Sequence, residues 1–143
     1  MSHVSTIELE INDLEALKKA CVSLGFEFRE NQKEYAWYGR HMGDYPIPEG
    51  MTKEDLGKCQ HAIRVPGAKY EVGVISGQKP GTHQLIWDFW GSGGLVPKIG
   101  KRAEVLKRAY AEHRVRRAVS RQRGARVVSR NEKDDRIVIK VSI

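Results

Sequence analysis

Between Ser5 and Phe28 the chain reads STIELEINDLEALKKACVSLGFEF. Ile7, Leu9 and Ile11 alternate with Glu8 and Glu10, the period-two pattern of a strand with one buried face. Asn12 and Asp13 offer side-chain oxygens that cap a following helix, and Leu14, Leu17, Cys21 and Leu24 recur at helical spacing. Gly25 suits the left-handed residue that ends such a helix. Phe26 and Phe28 then alternate across a second strand, and Asn31-Gln32-Lys33 predicts a turn into a third at Tyr35–Tyr38. A strand, a helix and further strands in so short a stretch predict an α+β fold with a mostly antiparallel sheet.

Further along, His41 to Gln60 loses this pattern. Asp44-Tyr45-Pro46-Ile47-Pro48-Glu49-Gly50 is turn chemistry, with one short helical turn expected at Thr52–Leu56, so residues 40–60 read as a loop-rich insertion. Alternation returns at Ala62–Val65, breaks at Pro66-Gly67 and resumes at Tyr70, Val72 and Val74. Leu85–Trp90 makes an apolar strand with aromatic residues on both faces. After Gly91-Ser92-Gly93-Gly94 a long helix is predicted over about Lys101 to Arg123. Leu106, Ala109, Tyr110 and His113 share one of its faces. Ala111, Val115, Ala118, Val119 and Gln122 gather opposite, so the helix bends, divides or is covered on both sides. Arg126–Arg130 and Arg136–Ile143 predict a hairpin around Glu132-Lys133-Asp134, with Ile137, Ile139 and Val141 inward. The order at 85–142 echoes that at 5–39. A duplicated β-α-β-β unit sharing one sheet, in a ferredoxin-like or related split arrangement, is one reading that explains the echo.

The 143 residues, 40% hydrophobic and 30% charged, suit one globular domain over 1–143 and exclude a disordered chain. No run approaches the ~18 consecutive apolar residues of a membrane helix, so no membrane partner is expected. The N-terminus has no signal-peptide layout, and Cys21 and Cys59 sit in no disulfide framework; the expected compartment is the reducing cytoplasm. Charge is placed unevenly. Residues 1–97 carry 10 Lys/Arg against 13 Asp/Glu, a net of −3, whereas residues 98–143 carry 15 against 5, a net of +10. The basic helical region 98–126 alone has 11 basic and 2 acidic residues. A basic end on an acidic-to-neutral body points to a polyanionic partner, and a solvated helix face with surplus arginine is the plain alternative.

Several blocks together resemble the hypothetical chloroplast reading frame thirty-five proteins of algae and their cyanobacterial, bacterial and phage relatives. They are the opening Met1-Ser2-His3 with Ser5-Thr6-Ile7, the run Ile63-Arg64-Val65-Pro66-Gly67-Ala68-Lys69-Tyr70-Glu71-Val72-Gly73, the block Trp87-Asp88-Phe89-Trp90-Gly91, and Tyr110 through Gly124 leading into the hairpin. The resemblance implies a cytoplasmic or plastid α+β protein and lends no assigned activity. Residues 41–60, the glycine run at 91–94 and the arginine density after 113 depart from the family pattern, as a specialised, phage-type member would.

For chemistry, the basic region supplies Lys98, Lys101, Arg102, Lys107, Arg108, Arg114, Arg116, Arg117, Arg121 and Arg123 as nucleic-acid-binding candidates, because guanidinium forks suit phosphate oxygens and stack on bases. Single strands also need aromatic platforms. Tyr35, Trp37, Tyr38, Trp87 and Trp90 compete for that role, and Tyr38 and Trp90 are the expected exposed members. Gly91, Gly93 and Gly94, followed by Lys98 and Lys101, form a phosphate-loop candidate. It is not a P-loop, since the spacing from Gly94 to Gly100 is too long and Arg102 stands where Ser or Thr belongs. Cys59-Gln60-His61 lacks a second ligand pair, so neither metal nor cofactor is expected. His83 with Asp88, or His61 with Lys69, offers an acid–base arrangement of the kind a small nuclease uses, but spacing alone does not specify it. The expected function is therefore non-enzymatic binding of RNA or single-stranded nucleic acid. The alternatives are an adaptor docking an acidic protein, or a nucleotide or phosphate binder at the Gly91–Lys101 loop.

Overall fold

The computed structural model describes residues 2–122, 124–133 and 136–142. Five strands, β1 (Val4–Ile11), β2 (Glu27–Arg29), β3 (His61–Arg64), β4 (Glu71–Ser76) and β5 (His83–Asp88), form an antiparallel sheet in the order β1-β5-β4-β3-β2. The helix α1 (Leu14–Leu24) links the two edge strands. A single turn α2 (Leu95–Ile99) leads into α3 (Glu104–Ser120), and β6 (Arg126–Lys133) pairs with β7 (Arg136–Ser142) in a separate two-stranded sheet. The α+β expectation holds. The shared sheet of a duplicated β-α-β-β unit does not, because β6 and β7 pair only with each other.

The predicted caps of α1 are present. Asp13 accepts a hydrogen bond from the Ala16 amide at 3.2 Å, and Gly25 adopts φ 77°, where its amide and that of Phe26 bond the helix's last carbonyls. Ala16, Leu17, Ala20 and Cys21 of α1 pack with Leu106, Ala109 and Tyr110 of α3 onto Ile7, Ile11, Ile63, Val72, Val74, Leu85 and Trp87 of the sheet. The other sheet face is covered by the segment after β2: Tyr35, Trp37, Ile47, Met51, Leu56 and Cys59 lie on Val4, Ala62 and Ile86. Gly73 is what lets Tyr35 lie flat there, since a Cβ would come within 2.5 Å of the Tyr35 ring. The predicted Tyr35–Tyr38 strand is thus an extended cover without a ladder of its own, held by a Glu34–Lys58 bridge and by single backbone hydrogen bonds from Tyr35 to Gly57 and from Glu71 to Ala36. The expected short helical turn is a 3-10 turn at Lys53–Asp55, capped by Thr52 and Asp55.

The predicted long helix starts at Glu104, not Lys101, because Ala103 takes a left-handed backbone, φ 59°. It is a single helix covered on two sides. Leu106, Ala109 and Tyr110 face α1 and the sheet, while Ala111, Glu112 and Val115 face Ile137 and Ile139 of the hairpin across a groove. Val141 is exposed rather than inward. Arg130 on β6 bonds Glu112 on α3 at 2.8 Å and fastens the hairpin to the helix.

Candidate nucleic-acid interface

The cations of the basic region fall into two groups with different work. Arg117 bonds both carboxylate oxygens of Asp13 through Nε, at 3.0 and 2.8 Å, and Arg116 bonds Glu112 at 2.9 Å. The Asp13 carboxyl is raised by burial but lowered further by Arg117 and the Ala16 amide, so it lies below the usual range. Glu112 shows the same balance: burial raises it, and Arg130 and Arg116 more than offset that. Nearby, the Tyr110 hydroxyl accepts from the Asn12 and Asp13 amides at 3.0 and 3.2 Å. Of the two predicted ligand contacts, Arg117 therefore ties α3 to the start of α1, and Arg116 pairs within α3 with the glutamate that holds Arg130 of the hairpin.

Lys101, Arg102, Lys107, Arg114 and Arg121 form the second group. Among the described residues none of them has a carboxylate ion-pair partner. Lys107, Arg114 and Arg121 recur every seven residues, two turns apart, so they share one face of the helix and its last turn. Ala111 and Ala118, both exposed, lie between them on that face. This cationic stripe is about 21 Å long at 1.5 Å per residue. Glu104, the acid at its head, is turned onto the backbone amides of Arg102 and of itself, which lower its pKa. Lys98 lies elsewhere, with its Cε against Gly67 of the Pro66-Gly67 turn. Arg108 lines the hairpin groove, and Arg123 lies outside the described residues.

At the head of the stripe is a cleft of about 320 Å3. Lys101, Arg102 and Lys107 line it together with Ser5, Thr6, Ile7 and Glu8 of edge strand β1, and with Tyr45, Trp87 and Phe89. Tyr45 stands edge-on to Phe89, with centroids 5.0 Å apart at 85°. His3 packs against Tyr45, Phe89 and Trp90 at 5.4, 5.3 and 5.0 Å, and its Nε2 lies 2.9 Å from Asp44. The buried Asp88 carboxylate orders the same corner by accepting from the amides of His3, Trp90 and Tyr38 at 3.0, 3.1 and 3.1 Å. Trp90 packs edge-on to His3 behind Tyr45 and Phe89 and does not itself line the cleft. Tyr38, the other predicted platform, is exposed but stacks with Arg40 at 6.0 Å and does not line the cleft. Tyr45, Phe89 and His3 were not singled out by sequence reasoning. The available signal was Phe89, next to Asp88 in an aromatic run; nothing local marks Tyr45 inside a loop.

The glycine loop has a packing role. Gly93 is buried, its carbonyl accepts from the amides of Lys69 and Tyr70, and a Cβ there would sit 2.0 Å from the Tyr70 ring. The Gly93 and Gly94 amides are taken by Trp90 and Gly91 carbonyls, so they do not point outward to a phosphate. Gly91 is exposed, and α2 beyond it is a single turn.

The acid–base pairs suggested by sequence are not assembled. His83 and Asp88 lie at opposite ends of β5, and Asp88 is occupied as described. His61 instead neighbours His83, with ring centroids 6.3 Å apart, and its Nδ1 accepts from the Asn31 amide at 2.9 Å. Cys59 Sγ donates to the Gln32 carbonyl, and no group of three His, Cys, Asp or Glu able to hold a metal ion occurs among the described residues. A larger groove of about 660 Å3 between α1 and α3 is lined by Lys18, Lys19, Val22, Arg116 and Arg117, but Lys18, Arg116 and Arg117 are already ion-paired. No helix among the described residues is long and apolar enough to cross a membrane. Comparison of the chain with protein-family models, with curated proteins and with solved structures gives no match.

Proposed function

We propose that the protein is a non-enzymatic nucleic-acid-binding protein whose ligand is RNA or single-stranded nucleic acid. The observation that carries this reading is the row of five cations, Lys101, Arg102, Lys107, Arg114 and Arg121, along one side of the α3 region, none of them ion-paired to a carboxylate among the described residues. Fold-maintaining arginines are satisfied by Asp13 and Glu112; among the described residues these five make no ion pair of that kind. A phosphate backbone offers the matching line of charge, and its counterions are released on contact.

The test is binding of labelled RNA and DNA oligomers at several salt concentrations. Five neutralised phosphates on a single strand give a log–log slope of about −3.5, at roughly −0.7 for each. Arg114→Glu/Arg121→Glu abolishes binding while the protein stays folded, because neither side chain makes an ion pair or hydrogen bond among the described residues and Arg121 acts on Asp13 only through longer-range charge, so the melting temperature falls little. Absence of any binding at low salt sinks the reading, and capture of an acidic protein by the same stripe would then favour the adaptor alternative.

A reducing, cytoplasmic setting belongs to the same proposal, supported by two free thiols, of which Cys21 is buried and pushed up to about 12 by burial. Kinship with the hypothetical chloroplast reading frame thirty-five proteins is likewise proposed, supported by the Ile63–Gly73 and Trp87–Gly91 blocks. Those blocks build β3, the turn, β4 and the end of β5. The structure of a plastid member with another strand order would end that kinship.

A further inference from the structure

We infer that the cleft at the head of the stripe takes one unstacked nucleotide, its base against Tyr45 and Phe89 and its phosphate beside Lys101, Arg102 and Lys107. The rest of the single strand then continues along Arg114 and Arg121. This rests on the nucleic-acid reading and specifies the state of the ligand.

Three observations support it. First, the cleft joins aromatic surface to cationic side chains, the two components of single-strand binding. Second, its volume of about 320 Å3 is at the small end of ligand sites and suits a single unit of a chain. Bases inside a duplex are stacked on one another and have no free face to lay against Tyr45 and Phe89. Third, the rings are held before any ligand arrives. The Phe89 amide bonds the His3 carbonyl at 3.0 Å, the His3 ring packs on both Tyr45 and Phe89, and the His41 Nε2 lies 2.9 Å from the Tyr45 carbonyl oxygen. A prepared platform loses less freedom when a base settles on it. Ser5 and Thr6 add hydroxyls to the lining, and Glu8 is the carboxylate on it, an acceptor for an exocyclic amino group of the base.

The experiment compares three fluorescein-labelled probes of equal length, about ten nucleotides: a single strand, its blunt duplex, and the same backbone with abasic sites. The single strand binds at least about fivefold more tightly than the other two, since one base–aromatic stack alone gives a factor of about 5 to 150. Tyr45→Ala removes a partly exposed ring that packs on His3 and Phe89, so a thermal melt accompanies the assay; in the folded variant single-strand affinity falls by a factor in the same range while binding of the abasic probe is unaffected. Equal binding of the duplex or of the abasic strand overturns the inference. If Arg114→Glu/Arg121→Glu still abolishes that binding, the stripe keeps its function and the cleft loses its own. If wild-type protein binds none of the probes, both fall together.

Discussion

Asp13 is the residue through which the basic helix supports the fold, and its removal has a calculable cost. Its carboxylate caps α1 through the Ala16 amide at 3.2 Å and receives Arg117 at 2.8 Å; the two side chains are 15% and 20% exposed. Losing an N-cap costs about 1 kcal/mol. A partly exposed ion pair of good geometry adds up to about 1 kcal/mol. Asp13→Ala is therefore expected to lose about 2 kcal/mol, or about 4–8 °C in melting temperature for a chain of this size. Urea unfolding of Asp13→Ala, Asp13→Asn, Arg117→Ala and the Asp13→Ala/Arg117→Ala double variant separates the two parts. Asparagine keeps the cap and loses the charge, so it falls midway. The pH dependence has a definite sign. Because the Asp13 carboxyl is depressed in the fold, its contribution is present above the ordinary aspartate range and disappears as pH falls through the folded value. Asp13→Ala within about 0.5 kcal/mol of wild type, or additive single variants, would refute this account of Arg117 and return it to the ligand surface.

Other consequences are as open to measurement. His61 is held below its ordinary value by burial and by His83, and its Nδ1 accepts a hydrogen bond that protonation would break. Its contribution to stability is therefore present above the ordinary histidine value and declines as pH drops below it, so His61→Phe flattens stability between about pH 7 and about pH 5 in denaturant melts. Gly93→Ala places a methyl group into the Tyr70 ring and costs roughly 1–3 kcal/mol by thermal unfolding; an unchanged melting temperature would restore the loop to a binding role. Arg130→Ala frees the hairpin from Glu112 and raises hydrogen exchange in β6 and β7, leaving the five-stranded sheet protected.

The parts of the fold legible in sequence are those decided locally. Ile7, Leu9 and Ile11 show their buried face by alternation, and Asp13 and Gly25 mark both ends of α1 by side-chain and backbone chemistry. The segment at Tyr35–Trp37 misleads for a physical reason. An extended chain lying across a sheet alternates its side chains just as a hydrogen-bonded strand does, and only the ladder partner distinguishes them. The hairpin at 126–142 was legible as a hairpin, but its separation from the main sheet depends on how α3 leaves β5. The candidate site divides the same way. Net charge locates the basic region, yet Arg114 and Arg117 look alike in sequence. Only the position of Asp13, over a hundred residues earlier, makes one a tie and leaves the other available. The cleft is further still from local pattern, since His3, Tyr45 and Phe89 meet only when β1 pairs with β5.

That pairing also sets an order of events during synthesis. β1 has one neighbour, and its partners run from Val4 with Asp88 to Ile11 with His83. β1 is thus made well before its partner and is among the last strands of this sheet to be paired, and α1 has no complete sheet beneath it until β5 has left the ribosome. The pairing of β3 with β4 spans only residues 61–76 and is available much sooner. Nascent chains should acquire protection first at that hairpin, and at the N-terminus only after Asp88 emerges, so a truncation before β5 leaves an unpaired strand and an uncovered helix for a chaperone to hold.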